Sequence, residues 1–280
     1  MIRPTPLFLV LVFLMAACKT LPAQWIVGHR GASFDAPENT VSAFRLAWDQ
    51  GADAVEADFY LTSDDKIVCI HDADTERTTG VKHVVAQTPL ETLRTLDAGS
   101  WKDERWRGEP VPTFEEVLAA IPDNKGFVIE LKIGPEIVPV LEAEIKRLNA
   151  PRDRLIFISF KADTIAACKR AFPNMRAHWL TSFKQHAVTG EWQPTASEIA
   201  RTVKECHADG VGMKGNREVI DREFIERLRH EGCGEFHVWT VDSPDDARYF
   251  KQLGAAAITT NRPQYIRETL DGQPAGTDDS

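Results

Sequence analysis

The amino-acid sequence predicts an α/β protein with a (β/α)8 barrel, the TIM-barrel architecture, and a small insertion after the second strand. After Gln24, short apolar segments alternate with longer amphipathic ones, and this alternation is typical of β-α units on a parallel sheet. Eight such units fit into about 250 residues, the usual size of such a barrel. A doubly wound open sheet shows the same alternation and is the competing architecture.

Strands and helices are predicted in strict alternation. Thr113 stands ahead of two glutamates and Ser243 ahead of Pro244, and both are typical signals for the start of a helix. The predicted strands are residues 25–28, 54–61, 127–132, 155–159, 176–180, 210–213, 236–241 and 256–259. The predicted helices are residues 39–50, 113–120, 136–148, 162–171, 196–206, 221–231, 244–253 and a last one that begins at residue 263.

One region interrupts the alternation between the second strand and its helix. Residues 67–70 are apolar and predict an added strand, whereas residues 72–112 contain clustered Thr, Gly and charged residues with Trp101 and Trp106. We interpret residues 72–112 as an insertion that covers one end of the barrel. The barrel domain is predicted to span residues 24–270, and the polar segment 271–280 is predicted to be a disordered tail.

The first residues predict a secretory signal rather than a part of the fold. Arg3 supplies a positive charge, residues 7–15 are apolar, and Ala16 and Ala17 are small, so residues 1–17 are predicted to be removed. Residues 14–18 also resemble a bacterial lipobox, with Cys18 as the lipid-modified first residue of the mature chain. An ordinary cleaved signal is the alternative. We therefore expect an exported protein of the periplasm or cell envelope, anchored to the membrane through this lipid.

Charge and cysteine content limit the function. The formal net charge of −9 and a pI near 5.4 argue against nucleic-acid binding, which needs a basic surface. No Cys-x-x-Cys pair occurs among the four remaining cysteines, and the Cys206-His207 pair lacks neighbours that would complete a metal site. Cys69 lies in an apolar segment and is predicted to be a small core residue. Disulfide pairing among the four stays open at this stage.

The stretch Glu56-Ala57-Asp58 combines two carboxylates with a segment that otherwise looks like a buried strand. Alternate side chains of a strand share one face, so Glu56 and Asp58 should project together. Two buried acids repel each other unless a cation accompanies them, so the pair indicates a divalent metal or a bound Arg or Lys. A solvent-exposed edge strand is the simpler interpretation.

Other polar residues collect where predicted strands end, which is where barrel active sites form. Glu130 would be a third oxygen ligand, and such ligands suit Mg²⁺ or Ca²⁺. Arg30 and Lys132 would leave positive charge beside that metal for an anionic phosphate. His29 and His71 would divide the proton transfers of a phosphodiester cleavage.

Taken in order, these motifs resemble those of the glycerophosphodiester phosphodiesterase family. The resemblance extends from about residue 26 to residue 263. The motifs are His29-Arg30-Gly31, Pro37-Glu38-Asn39-Thr40, Gly51-Ala52-Asp53 with Glu56-Ala57-Asp58, His71-Asp72, Arg77-Thr78-Thr79-Gly80, Gly108-Glu109-Pro110-Val111-Pro112-Thr113, Glu130-Leu131-Lys132 and Trp239-Thr240-Val241.

The resemblance implies a barrel enzyme that uses one divalent cation, Mg²⁺ or Ca²⁺, to hydrolyse glycerophosphodiesters to sn-glycerol 3-phosphate and an alcohol. It implies these roles: His29 and His71 as general acid and base, Glu56, Asp58 and Glu130 as metal ligands, Arg30 and Lys132 on the phosphate, and Glu38, Asn39 and Trp239 lining or supporting the pocket. Ahead of Thr260-Asn261-Arg262-Pro263 the chain lacks an Asp that the family usually has, and we expect this departure in the loop of the last strand to affect none of the catalytic groups.

Two other functions compete. A lysophospholipase D acting on membrane lysophospholipids would need an apolar groove beside the metal, and a lipid on Cys18 could bring the mouth of the barrel near the membrane. A non-catalytic lipoprotein that binds phosphate or a polyol would have lost a catalytic group, and none is lost here. The nucleophile stays open between water and the free hydroxyl of the glycerol moiety.

Overall fold

The structure is a computed structural model that describes residues 24–272. The predicted signal, Cys18 and most of the predicted tail lie outside the described residues. The strands are β1 (Trp25–His29), β2 (Ala54–Leu61), β3 (Ile67–Cys69), β4 (Gly126–Leu131), β5 (Leu155–Ser159), β6 (Arg176–Thr181), β7 (Lys184–Gln185), β8 (Trp192–Gln193), β9 (Gly210–Lys214), β10 (Phe236–Trp239) and β11 (Ala257–Thr260).

Ten α-helices are present in residues 24–272. They are α1 (Val41–Asp49), α2 (Glu76–Thr79), α3 (Leu90–Leu93), α4 (Phe114–Ala119), α5 (Ile137–Arg147), α6 (Ala162–Ala171), α7 (Ala196–Glu205), α8 (Arg222–His230), α9 (Pro244–Leu253) and α10 (Pro263–Leu270). Eight of them follow the barrel strands as predicted. The short helices α2 and α3 lie within the insertion, and the hairpin of β7 and β8 was not predicted.

The sheet closes into a barrel. Eight parallel strands follow each other in the order β1-β11-β10-β9-β6-β5-β4-β2, and β1 pairs with β2 as well as with β11. This closure confirms the TIM barrel and excludes the open sheet. The added strand β3 pairs antiparallel with β2, so the segment after it starts at one edge of the barrel wall.

Strand β2 shows how the alternation of side chains separates the core from the site. Val55, Ala57 and Phe59 face outward and are fully buried against the helices. Phe59 contacts the rings of Phe114 and Phe127 edge to face, with centroids 5.5 and 6.0 Å apart, a favourable geometry for aromatic pairs. The intervening carboxylates therefore point into the barrel. Its interior carries a smaller apolar cluster that includes Val27, Val128, Ile156 and Leu180.

The first helix begins two residues later than predicted. Asn39 has a φ angle of 58°, a left-handed conformation that no helix continues through and that Asn tolerates better than most residues. Thr40 caps the helix instead, and its hydroxyl accepts a hydrogen bond from Ala43 N. The side chain of Asn39 is thereby released toward the barrel.

Helix α7 offers a clean test of local stabilisation. Thr195 Oγ1 accepts a hydrogen bond from Glu198 N, and Glu198 Oε2 accepts one from Thr195 N at 2.8 Å, which is a capping box. We expect Thr195→Ala to lower the free energy of unfolding by about 1 kcal/mol, measured by urea denaturation. Thr195→Ser keeps the hydroxyl and is the control. Equal stability of the two variants would contradict the cap.

None of the helices in residues 24–272 is both long and apolar enough to cross a bilayer.

Candidate active site

The polar residues predicted at the strand ends meet at the carboxyl-terminal mouth of the barrel. Glu56 and Asp58 lie on β2 next to Glu130 on β4, where Asp58 and Glu130 are paired in register. His29 ends β1 and is paired in register with Glu56. His71 follows β3 by one residue of loop. The structure therefore places the predicted acids and histidines at one end of the barrel.

The three carboxylates form one tight, buried cluster. Each of Glu56, Asp58 and Glu130 contributes an oxygen, and these atoms lie within 4.8 Å of one another. The three residues are 2%, 1% and 8% exposed. Such crowding of buried negative charge is unfavourable without a counter-charge. The edge-strand interpretation of Glu56-Ala57-Asp58 is therefore wrong.

Two cations alternate with these acids. Lys132 Nζ lies 2.8 Å from Glu130 Oε1 and 3.1 Å from Asp58 Oδ1. Arg30 Nε lies 3.2 Å from Asp58 Oδ2, and the backbone N–H of Arg30 donates to Glu56 Oε2 at 3.0 Å. Asp58 thus has a cation on each oxygen, whereas Glu56 has no cation of its own.

The pKa values follow this unequal distribution. Burial and the repulsion of Asp58 and Glu130 raise the pKa of Glu56 well above its usual range. Burial and Asp58 also raise the pKa of Glu130 to about 7. The pKa of Asp58 is lowered in spite of its burial, because Lys132 and Arg30 stabilise its charge. The negative charge of the cluster is therefore least compensated at Glu56.

A divalent cation fits this arrangement. Glu56 Oε1 is buried and makes no hydrogen bond within the described residues, whereas Asp58 Oδ1 is paired with Lys132 Nζ at 3.1 Å. Hard carboxylate oxygens are the donors that Mg²⁺ and Ca²⁺ prefer. In the described part of the chain no other group of three acids, histidines or cysteines comes as close together. The four cysteines within residues 24–272 are unpaired.

His29 is held through its Nδ1 atom. This atom lies 2.7 Å from Asn261 Oδ1. The amide nitrogen of Asn261 donates to Asp242 Oδ2 at 2.6 Å, so the amide oxygen is left as the acceptor. His29 must then carry its proton on Nδ1 and keep Nε2 as the basic nitrogen. Burial and the neighbouring charge of Arg30 lower the pKa of His29 to about 4.

Asn261 is a positioning residue to which the sequence analysis gave no role. It belongs to the Thr260-Asn261 pair, which matches the family pattern, and not to the stretch ahead of it that departs from that pattern. Asn261 fixes the ring of His29, and Ser33 Oγ donates to the same amide oxygen at 2.8 Å. The Thr260-Asn261 pair at the end of the last strand was the available signal.

His71 is held in the same way by a charged partner. Its Nδ1 lies 2.7 Å from Asp72 Oδ1, and Arg77 Nε donates to Asp72 Oδ2 at 2.6 Å. Both histidines are thus anchored through Nδ1, but His29 has a neutral partner and His71 has a carboxylate. Asp72 and Arg77 were noted in the sequence as motif residues only, without a role.

Glu38 and Asn39 hold the charged groups of the site in place. Glu38 Oε1 accepts hydrogen bonds from Arg30 at 2.9 Å and from Arg77 at 2.7 Å, so it links the two arginines. Asn39 Nδ2 donates to Asp58 Oδ2 at 2.8 Å, and its oxygen accepts from Asp58 N at 3.2 Å. The left-handed backbone of Asn39 makes both contacts possible.

Trp239 ends β10 at the mouth. Its ring packs edge to face against Phe160, with centroids 5.3 Å apart, and Phe160 is 45% exposed. The indole Nε1 is buried and has no hydrogen-bond partner within residues 24–272. Phe160 and Trp239 together form an apolar wall beside the charged cluster.

Replacing Asn261 tests its role as a positioning residue. We expect Asn261→Ala to lower kcat by about 10- to 100-fold, because the His29 ring loses the acceptor that fixes its tautomer. KM should change little. Asn261→Asp combined with Asp242→Asn keeps the acceptor for His29 and exchanges the donor and acceptor of the pair, so it should restore a large part of kcat. Steady-state kinetics measure both constants, and equal losses in the two variants would indicate a merely structural role.

Comparisons with known proteins agree with this geometry. The model of the glycerophosphoryl diester phosphodiesterase family matches residues 29–265. A glycerophosphodiester phosphodiesterase of Caldanaerobacter subterraneus subsp. tengcongensis is 31% identical over 246 residues, which cover 86% of this chain and 95% of that protein. A Bacillus subtilis (strain 168) protein of the same name is 27% identical over 263 residues, with 88% and 86% covered.

Solved structures show the same fold. A phosphodiesterase of Oleispira antarctica, in complex with its product sn-glycerol-3-phosphate, has a TM-score of 0.76 and 26% identity, with 88% of this chain and 96% of that chain covered. A glycerophosphodiester phosphodiesterase of Agrobacterium tumefaciens has a TM-score of 0.69 and 28% identity, with 87% and 98% covered.

Proposed function

The chain belongs to the glycerophosphoryl diester phosphodiesterase family and is an enzyme of that activity. From this premise we propose that it cleaves glycerophosphodiesters to sn-glycerol 3-phosphate and an alcohol by histidine acid-base catalysis with one divalent cation. The observation that carries the proposal is the pair of histidines anchored through Nδ1 beside a buried cluster of three carboxylates.

The charged groups divide the work on the phosphate. Glu56, Asp58 and Glu130 would hold the cation, which supplies a Lewis acid for a phosphate oxygen. Arg30 and Lys132 lie between these acids and would stabilise the negative charge that develops on the phosphate. Glu38 keeps the guanidinium of Arg30 in place, and Arg77 holds Glu38 from the other side.

The partners of the two histidines indicate their roles. His29 Nε2 is the basic nitrogen of a neutral ring whose partner is an uncharged amide, so His29 would remove a proton from the nucleophile. His71 Nδ1 is held by the carboxylate of Asp72, which leaves Nε2 facing away from that partner, so His71 would protonate the leaving alcohol. This assignment holds whether the nucleophile is water or the adjacent glycerol hydroxyl.

The test is an assay of glycerol 3-phosphate release across glycerophosphodiesters of different head groups. The reaction should stop with a chelator and resume when Mg²⁺ or Ca²⁺ is added back. Substrates without the free glycerol hydroxyl distinguish the nucleophiles, because only the intramolecular route requires that group. Full activity in the presence of the chelator would overturn the metal-dependent mechanism.

A lipid on Cys18 would place the barrel in a particular orientation. The described chain starts at Gln24, directly before the amino-terminal end of β1, whereas the carboxylates lie at the opposite end of the barrel. Residues 19–24 are too few to pass around it, since six residues span at most about 20 Å. We therefore propose that an anchored enzyme would present its mouth away from the membrane.

This orientation favours soluble diesters over membrane lysophospholipids. The wall of Phe160 and Trp239 could accept an acyl chain, so the assay panel includes lysophosphatidylcholine. We also propose that a lipid on Cys18 anchors the protein to the membrane. Membrane fractionation of the Cys18→Ala variant tests this anchor. Loss of membrane association without loss of activity supports the anchor, and unchanged association contradicts it.

A further inference from the structure

A cavity of about 840 Å³ opens at the amino-terminal end of the barrel, opposite the mouth with the carboxylates. Its walls have opposite character. On one side Val27, Val128 and Ile156 form an aliphatic surface, and on the other side the imidazoles of His178 and His237 line the space. None of the acids or histidines of the carboxyl-terminal mouth lines this cavity, so the phosphodiesterase mechanism gives it no role.

The two imidazoles lie inside the barrel because a glycine admits them. His178 on β6 and His237 on β10 flank β9, with ring centroids 5.3 Å apart. Gly212 on β9 is paired in register with His237. A Cβ atom at position 212 would lie 2.4 Å from the His237 ring and 2.5 Å from Leu180. Any other residue there would displace the ring from the interior.

These rings carry buried polar atoms without partners. His178 and His237 are 3% and 6% exposed. Both ring nitrogens of His178 and Nε2 of His237 make no hydrogen bond with any residue of the described chain. Glu235 Oε1 lies 3.4 Å from His178 Nε2 without forming one. Buried polar groups in native proteins are normally satisfied, so unpaired nitrogens that line a cavity indicate a ligand with oxygen atoms.

The charge of the entrance indicates the sign of that ligand. Arg176, Arg229 and Lys251 line the entrance together with a single acid, Glu235, which pairs with Arg176 at 3.3 Å. The surplus of positive charge favours an anion. Burial lowers the pKa of His237 to about 4 and, with the neighbouring His237, keeps the pKa of His178 well below its usual range. Both rings are then neutral, and each offers one N–H donor.

We propose that this cavity binds a short-chain aliphatic carboxylate. The carboxylate would accept hydrogen bonds from the N–H groups of His178 and His237, and Arg176, which pairs with Glu235 beside His178, would offset the charge of Glu235. The hydrocarbon chain would lie on the Val27, Val128 and Ile156 surface. Binding would leave the mouth of the barrel accessible, so the ligand and glycerol 3-phosphate can be bound at the same time. The proposal does not depend on the phosphodiesterase mechanism.

Isothermal titration calorimetry of the whole enzyme with hexanoate tests the site, and hexan-1-ol and inorganic phosphate serve as probes of each half of the ligand. We expect saturable binding of one hexanoate per chain, unchanged by glycerol 3-phosphate, and weaker binding of both other probes. Hexan-1-ol binding as tightly as hexanoate would overturn the proposal, as would the absence of hexanoate binding or competition with glycerol 3-phosphate.

Variants locate the binding. His178→Leu removes the donors without leaving a partner unpaired, and it should weaken hexanoate binding by about tenfold or more. Ala257→Leu fills the cavity and is a second, independent variant. Arg248→Gln on the exposed side of α9 is the matched control. Unaltered phosphodiesterase activity shows that each variant is folded, and hexanoate affinity that stays the same in both cavity variants would place the binding elsewhere.

Discussion

Replacing His29 with glutamine is expected to lower kcat by about 10²- to 10⁴-fold, the usual contribution of a general acid or base. Asn261, itself held by Asp242, orients the His29 imidazole so that its Nε2 can accept a proton. Glutamine has a similar reach and can still contact Asn261, so the fold and the binding of substrate should be retained. Steady-state kinetics of glycerol 3-phosphate release separate kcat from KM.

The His29 experiment has a matched control on the surface. His230 is exposed at the end of α8, a helix that carries none of the residues at the mouth, and His230→Gln should leave kcat unchanged. His71→Gln should lower kcat as His29→Gln does, since both rings are anchored through Nδ1. A His29→Gln enzyme with kcat within about twofold of the unmodified enzyme would remove His29 from catalysis.

The barrel could be predicted because its signals are local and repeated. The bounds of β2, β5, α6 and α9 agree with the sequence prediction, because each of these apolar or amphipathic segments ends at a polar or turn residue. The outward position of Phe59 and the inward position of the two acids on β2 follow from alternation alone. Eight repeats of such a pattern leave few ways to bury all apolar faces.

Other features depend on contacts between distant parts of the chain. The late start of α1 follows from the left-handed backbone of Asn39, which its hydrogen bonds to Asp58 favour. Asn261 meets His29 only because β11 closes the barrel against β1, and these residues are 232 positions apart in sequence. Arg77 reaches Glu38 across 39 positions through the insertion. Local pattern contains no information about such pairs.

The charges at the mouth alternate in sign from one end to the other. Asp72 contacts Arg77, Arg77 contacts Glu38, and Glu38 contacts Arg30, which then meets Asp58. Each charge in this chain has an opposite neighbour. Because the alternation stops short of Glu56, that residue is where the cluster is least compensated and where a cation would be most stabilising.

Replacing Glu56 with glutamine should therefore separate stability from activity. The variant keeps an oxygen that can accept from Arg30 N but loses the charge that Asp58 and Glu130 repel. With chelator present, we expect it to gain about 1–3 kcal/mol of unfolding free energy, or roughly 2–4 °C in Tm per kcal/mol for a chain of this size. Its kcat should fall by at least about 100-fold, since a metal ligand is lost.

Addition of the cation should reverse the order of stability. A cation at about 100 times its Kd stabilises a protein by about 2.7 kcal/mol, so the unmodified enzyme should gain in Tm with Mg²⁺ or Ca²⁺ while Glu56→Gln gains little. Glu226→Gln, on the exposed face of α8, removes one negative charge far from the cluster and is the control for net charge. Equal stabilisation of Glu56→Gln and the unmodified enzyme by the cation would place the cation elsewhere. A lower stability of Glu56→Gln than of the unmodified enzyme in chelator would mean that other residues already compensate the charge of Glu56.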